Sequence, residues 1–391
     1  MLDTIALTLN QMEFKVNEPD KFSPSANFLS RMPYSDFGGS GNVRCVQNPT
    51  KADAEQGNYK PRLTLTKRKN YAGITTTLRI EFSAPKLVFG NNFDELGMAD
   101  YDKLLGILHR KLAEMSVTVQ KDVLRNASVS SIHYSKNIAL TDYSTCSMIT
   151  DELAKMNLSK RLDLSKTDYR NEGHSIRFHA NNFELTFYDK IKDLQQAGIS
   201  EKRAIESDNM FQPDLFSKGK YLRQLEVLRM EVRIVKRAKL KAVLTKLNIK
   251  ADMTFQALFS ADISQKILCH FWQKSTQDTP LLAFANFKPE DIVQAIATES
   301  KGKAKPAKLL QQLGGLMLVN SIGLRGTKVL LEKHCNSRTW QRIKKELEGL
   351  DTPTNMKYSA MRHVETALAD FEPLKLKAFQ TGSCANKTKT L

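Results

Sequence analysis

The sequence lacks most of the patterns by which enzyme classes are recognised. Its five cysteines, at 45, 146, 269, 335 and 384, form no CxxC pair and are odd in number. That argues against a disulfide framework and a zinc site. No GxxxxGK[ST] occurs to cradle nucleotide phosphates, and neither a Ser/His/Asp pattern nor a dinucleotide fingerprint is present. GGSGNVRC at 38–45 lacks the strand-to-helix context of a phosphate loop. His174 and His179 are five apart, on opposite faces of any strand, so there is no His-x-His metal pair. Apolar runs fall short of a membrane span, and MLDTIALTLN carries Asp3 without a basic segment, so neither a leader nor an anchor is expected.

Negative charge is also in short supply. Against 42 Asp and Glu stand 59 Lys and Arg, a formal +17 over 391 residues, which points to a polyanionic partner. The excess is concentrated: residues 217–250 hold eleven Lys or Arg against two Glu. That run passes from a strand into an amphipathic helix, so Lys236, Arg237, Lys239 and Lys241 are expected to follow phosphates along one surface. The helix has no Trp or Phe belt for lying on a membrane, which leaves nucleic acid. Aromatic residues are 8% and no RNP-like run exists, against a single-strand coat or RNA-binding protein built on base stacking.

What is present is alternation. GITTTLRIEFSAPKLV at 73–88, SVSSIHYSKNIAL at 128–140, FELTFYDK at 183–190 and LEVLRMEVRIV at 225–235 read as strands with one apolar and one polar face. A helix is expected over 99–115, with Leu104, Leu105, Leu108 and Leu112 inward. A second is expected over 147–158, capped by Thr150, and a polar stretch over about 33–60 is expected to be a loop. These elements predict an α+β fold: a mostly antiparallel sheet, helices packed on one face, the other face polar, then a helical C-terminal region. The boundaries expected are a catalytic domain at 1–250, a helical extension at 251–300, a helix-turn-helix-like region at 301–375 and a disordered tail at 376–391. In the third, Ser337 should cap a helix presenting Arg338, Arg342 and Lys345, with Trp340, Ile343 and Leu347 packed.

The polar faces gather chemistry. Glu81, His133, Tyr188 with Lys190, and Arg229, Glu231 and Arg233 would converge if their strands are neighbours. Tyr188 is then a candidate nucleophile, with Lys190 aiding the phenol. Glu81, His133 and Glu231 are candidate ligands for Mg²⁺ or Mn²⁺, and Arg229 or Arg233 candidate phosphate clamps. Taken singly, each residue has an ordinary structural role open to it: packing for the tyrosine, cross-strand ion pairing for the charges.

FYDK followed some forty residues later by RMEVRIVKR, after LRIEFSAPKLVFGNNFDEL and before a basic helical part, resembles the replication initiation proteins of filamentous bacteriophages, the gene II/X or CRI-type family. It resembles the initiators of rolling-circle plasmids more distantly. The resemblance runs over about 60–350 and implies a single nicking tyrosine at Tyr188, the lysine at Lys190 and the acidic member at Glu231, with Glu81 aligned less closely. Relatives carry an acidic residue in the strand where this chain has His133. It further implies a cytoplasmic protein of a bacterial host that nicks and rejoins one origin strand through a 5′-phosphotyrosine. Without a nucleotide site it would depend on a host helicase and polymerase. A non-catalytic DNA-binding regulator would share the charge and the C-terminal helices.

Overall fold

The computed structural model describes residues 1–27, 42–50, 52–53, 56–70, 73–140, 144–154, 163–170, 175–197, 225–276, 293–294, 297–298, 305–348 and 359–376. Its strands are β1 (Leu2–Asn10), β2 (Lys15–Val16), β3 (Asn42–Gln47), β4 (Arg62–Asn70), β5 (Gly73–Ser83), β6 (Val117–Thr118), β7 (Ser128–Leu140), β8 (Asp163–Arg170), β9 (Ser175–Ala180), β10 (Phe183–Asp189) and β11 (Glu226–Ile234). Nine of them form one antiparallel sheet in the order β3-β4-β5-β1-β7-β11-β10-β9-β8, while β2 pairs with β6.

Alternation decides which way the sheet faces. Leu63, Leu78, Ile80, Ile132, Phe187 and Met230 are all fully buried and lie on one face. Each such side chain contributes on the order of 1.5–3 kcal/mol by leaving water. Against that face pack helices α1 (Ala84–Phe89), α2 (Tyr101–Glu114), α3 (Lys121–Arg125), α4 (Cys146–Ala154), α6 (Arg237–Lys246), α7 (Phe255–Leu258) and α8 (Ala261–Thr276). The fold is therefore α+β, with the helical layer on one side. A further helix, α5 (Lys190–Ala197), lies on the other face at one end, where Ile191 and Leu194 meet Phe93 and Val227.

Several expected boundaries move. The stretch read as a loop over 33–60 contains edge strand β3, whose Cys45 and Gln47 are buried. Helix α4 starts at Cys146, with Thr145 Oγ1 accepting from the Met148 amide, so Thr150 sits inside the helix and bonds back to the Cys146 carbonyl. Residues 251–276 are no extension: Phe255, Phe259, Ile267 and Phe271 belong to the main core.

The C-terminal region divides in two. Helix α9 (Pro306–Glu332) bends at Gly323 (φ 74°, ψ 164°) and packs on α10 (Ser337–Glu348) around Leu316, Val319, Trp340 and Leu347, a small core of its own. The cap of α10 is Asn336, whose Oδ1 accepts from the Thr339 amide, rather than Ser337. Helix α11 (Ser359–Asp370) instead returns to the sheet through Val364 and Leu368. Residues 372–376 then run beside loop 91–96, where the amides of Leu374 and Leu376 donate to Glu95 and Asp94. The tail 377–391 lies outside the described residues, as do most of 277–304 and the first residues of the basic run, 217–224. Among the described residues no helix is long and apolar enough to cross a membrane.

Candidate active site on the polar sheet face

Register brings the expected groups of β7, β10 and β11 together. Arg229 lies opposite Tyr188 and Asn137, Glu231 opposite Thr186 and Ser135, and Arg233 opposite Glu184 and His133. Because directly opposed residues share a face, all of these side chains stand on the face away from the helical layer.

At the centre is Glu231, 2% exposed. Arg233 grips it with both arms, Nε to Oε1 at 2.9 Å and Nη2 to Oε2 at 3.2 Å. His133 Nδ1 stands 3.5 Å from Oε1, and the Tyr188 hydroxyl donates to Oε2 at 3.4 Å. Burial opposes ionisation of Glu231, but Arg233 and His133 outweigh it and hold the carboxyl well below its usual range. Burial pushes the Tyr188 phenol well above its usual value; Arg229 pulls it down and Glu231 adds to the rise. The phenol is thus un-ionised and donates its hydrogen bond to an ionised carboxylate. Arg233 remains partly open to solvent and also reaches Glu184 at 3.7 Å; Glu184 is shared with Arg177 of β9 at 3.8 Å.

Three expected roles change with the structure. Arg229, expected as a phosphate clamp, is 1% exposed and held at both ends of its fork: Nη2 meets Asp3 Oδ1 at 2.7 Å and Ser135 Oγ at 2.8 Å, and Nη1 donates to the Asn92 carbonyl at 2.7 Å. The cause is a β-bulge, one extra β1 residue between the Leu2–Tyr134 and Ile5–Ile132 pairs, which turns Asp3 onto the polar face. Lys190, expected as the last strand position, opens α5 instead. Its fully buried ammonium lies 5.5 Å from the centre of the Tyr188 ring and 3.4 Å from Asp193. Burial, helped by Arg229, lowers its pKa to about 8.

Glu81 is the third. It shares the polar face, but its strand is separated from β11 by β1 and β7, about 14 Å at normal strand spacing, and it is bound by Arg79 at 3.1 Å. Glu81, His133 and Glu231 therefore do not converge. Both oxygens of Glu231 are moreover taken by Arg233, so these three do not fit a metal ion as they stand. Among the described residues, the group with three ligand atoms in reach of one another is Cys146, Asp189 and Glu226, on the helical side of the sheet behind Tyr188. Burial, aided by Glu226, raises the Asp189 carboxyl, and Cys146 donates its backbone amide to Glu226 at 2.9 Å. Tyr134 is also on the helical side, fully buried and donating to the Leu258 carbonyl at 2.8 Å, so it is no second nucleophile.

The basic helix is displaced as well. Helix α6 packs Leu240, Val243 and Leu244 into the helical layer, so Lys236, Arg237, Lys239 and Lys241 lie on the side away from Tyr188. Arg237 is bonded to Ser128, and Lys239 sits 4.8 Å over the Phe183 ring. Arg338, Arg342 and Lys345 are exposed on α10 as expected. The sequence reading missed Asp3, Asn92 and Arg177, which the bulge, the loop after α1 and the strand register respectively bring to the site. It missed, too, the arginines of β3 and β4 on the polar face. The chain matches no known family model, curated protein or solved structure.

Proposed function

We propose that this chain starts rolling-circle replication by nicking, and later rejoining, one strand at a phage- or plasmid-type origin. The observation that carries the proposal is the Tyr188 phenol donating to a buried, ionised Glu231 on the polar face, beside the partly exposed Arg233.

In this scheme Tyr188 Oη attacks the scissile phosphorus, its proton passes to Glu231, and the P–O3′ bond breaks. The departing oxygen takes a proton from water, leaving a 3′ hydroxyl and a 5′-phosphotyrosine. Incoming phosphate competes with Glu231 for Arg233. An arginine drawn to the phosphate stabilises the developing charge and leaves Glu231 a stronger base at the moment it is needed. Lys190, over the phenol ring, favours the anionic form of Tyr188. Rejoining is the reverse: a 3′ hydroxyl attacks the phosphotyrosine and Tyr188 recovers its proton. Host helicase and polymerase would supply unwinding and synthesis.

The test is a nicking assay on supercoiled DNA carrying an origin region from the source genome, comparing the native protein with Tyr188→Phe. Nicked circles with a protein-linked 5′ end, absent in the variant, are expected, and addition of EDTA in the same assay decides whether Mg²⁺ or Mn²⁺ takes part. Equal nicking by both proteins would remove Tyr188 from the chemistry. The exposed Arg338, Arg342 and Lys345 favour a second reading, a non-catalytic DNA-binding regulator, which stands if both proteins bind the origin and neither cuts it.

A further inference from the structure

The sheet consists of two halves with the same connectivity. In the first, β1 is followed by the meander β3-β4-β5, whose last strand returns to pair with β1; in the second, β7 is followed by the meander β8-β9-β10-β11, one strand longer at its outer edge, whose last strand returns to pair with β7. A helix leaves each returning strand, α1 after β5 and α6 after β11, and packs on the first strand of its own half. The antiparallel pairing of β1 with β7 relates the halves by an approximate two-fold through the middle of the sheet.

Sequence follows the same repeat. Leu78-Arg79-Ile80-Glu81 on β5, the returning strand of the first half, matches Leu228-Arg229-Met230-Glu231 on β11, the returning strand of the second, at three of four positions. Arg229 is opposite Tyr188 on the outer strand and Asn137 on the inner; Arg79 is opposite Thr64 on the outer strand and Thr8 on the inner. Thr64 thus stands where the second half has its tyrosine. The two copies differ in kind. Glu231 and Arg229 are buried, whereas Arg79 and Glu81 are each 40% exposed. Around them, register puts Arg44, Arg62 and Arg68 on the same polar face, all exposed and, among the described residues, without a carboxylate partner.

We propose that the N-terminal half of the sheet is a second DNA site, a non-cleaving counterpart of the Tyr188 site, that holds the phosphates of single-stranded DNA. The inference rests on the nickase reading for its partner. Four arginines and the Thr64 and Thr8 hydroxyls suit phosphate oxygens. No aromatic side chain lies on this part of the face among the described residues, so bases are not stacked and recognition is sequence-independent. With threonine in place of tyrosine, the site has no phenol to donate to its glutamate, and it holds without cutting. Five strand spacings, about 24 Å, separate Thr64 from Tyr188, so both sites can engage one continuous strand.

The experiment measures the salt dependence of binding to a homopolymer single strand of about thirty nucleotides, longer than one binding site of this kind. Three full-length proteins are compared: native, Arg44→Ser/Arg62→Ser/Arg68→Ser, and a charge-matched control, Lys236→Ser/Lys241→Ser/Lys246→Ser, from the helical side. Thermal melts confirm that the variants are folded, and nicking is assayed in parallel. Loss of three phosphate contacts flattens the log K against log salt slope by about 2 in the arginine variant. The control is expected to keep the native slope. An unchanged slope in the arginine variant, or an equal change in the control, overturns the second site. Absence of nicking by the native protein, with the slope difference intact, overturns the nickase reading instead and leaves a DNA-holding surface.

Discussion

Tyr188 and Glu231 stand on adjacent strands, two residue pairs apart in register and so on the same face, and the phenol of one donates to the carboxylate of the other at 3.4 Å. A long hydrogen bond of this kind stabilises the fold by at most about 1 kcal/mol. Tyr188→Phe is therefore expected to keep the native denaturant midpoint while losing the covalent DNA adduct. A large drop in stability would mean that the tyrosine is chiefly structural.

Glu231→Gln keeps the shape but leaves Arg233 and His133 facing a neutral amide, and is expected to cost about 3 kcal/mol at neutral pH. Its carboxyl titrates well below the ordinary 4.5 in the folded protein. Folded protein thus binds fewer protons there than unfolded chain, so the carboxylate's contribution is full above about pH 4.5 and fades as pH falls further. Chemical denaturation of native and variant should converge toward acid pH; a constant gap would contradict the ion-pair account.

Asp3 and Arg229 form a buried pair at 2.7 Å that ties β1 to β11 across β7. Asp3→Asn removes the charge opposite a guanidinium that is 1% exposed, and a loss of about 3 kcal/mol is expected. The equivalent neutralisation at the exposed pair, Glu81→Gln, should cost less than about 1 kcal/mol. Denaturant midpoints of the two variants measure the contrast.

Lys190 loses solvation inside the fold, and its pKa falls from 10.5 to about 8. Below pH 8 it is charged in both states and opposes folding; between about 8 and 10.5 the unfolded chain binds the extra proton, so stability rises with pH. Lys190→Met is expected to be more stable than native at pH 7 by on the order of 2 kcal/mol, an advantage shrinking through that window. A variant less stable at pH 7 would show that the contacts to Asp193 and Tyr188 outweigh the desolvation.

Gly323 bends α9 with φ 74° and ψ 164°, a conformation nearly confined to glycine. Gly323→Ala should destabilise the α9–α10 hairpin by about 1–3 kcal/mol, with Trp340 fluorescence reporting its melting. Unaltered melting would show that α9 can straighten without loss.

The strands carrying the site were legible because one face of each is apolar: Ile132, Leu185, Phe187 and Val232 mark the period of two without any partner. Helix α10 was legible for the same reason at a period of 3.6. Neighbourhood was not legible, because register is a property of two segments at once. Nothing in the sequence of β1 signals that a bulge turns Asp3 toward Arg229, or that Glu81 lies beyond β1. Composition misplaced the basic helix: its charges are on the outer side of α6, but which layer α6 joins depends on where Leu240 and Val243 find their core.

The two-fold arrangement has a consequence for how the chain reaches its fold. Each half closes on partners within its own span, Thr4 with Ser83 in one and Ile234 with Ile132 in the other. The seam between them joins Leu2 to Tyr134, the most distant pairing of the three in sequence. Local closure precedes distant closure when chain entropy sets the order. Two half-sheets should accordingly form as separate cooperative units before they zip together along β1 and β7, so the amides of that seam should gain protection later than those within either half.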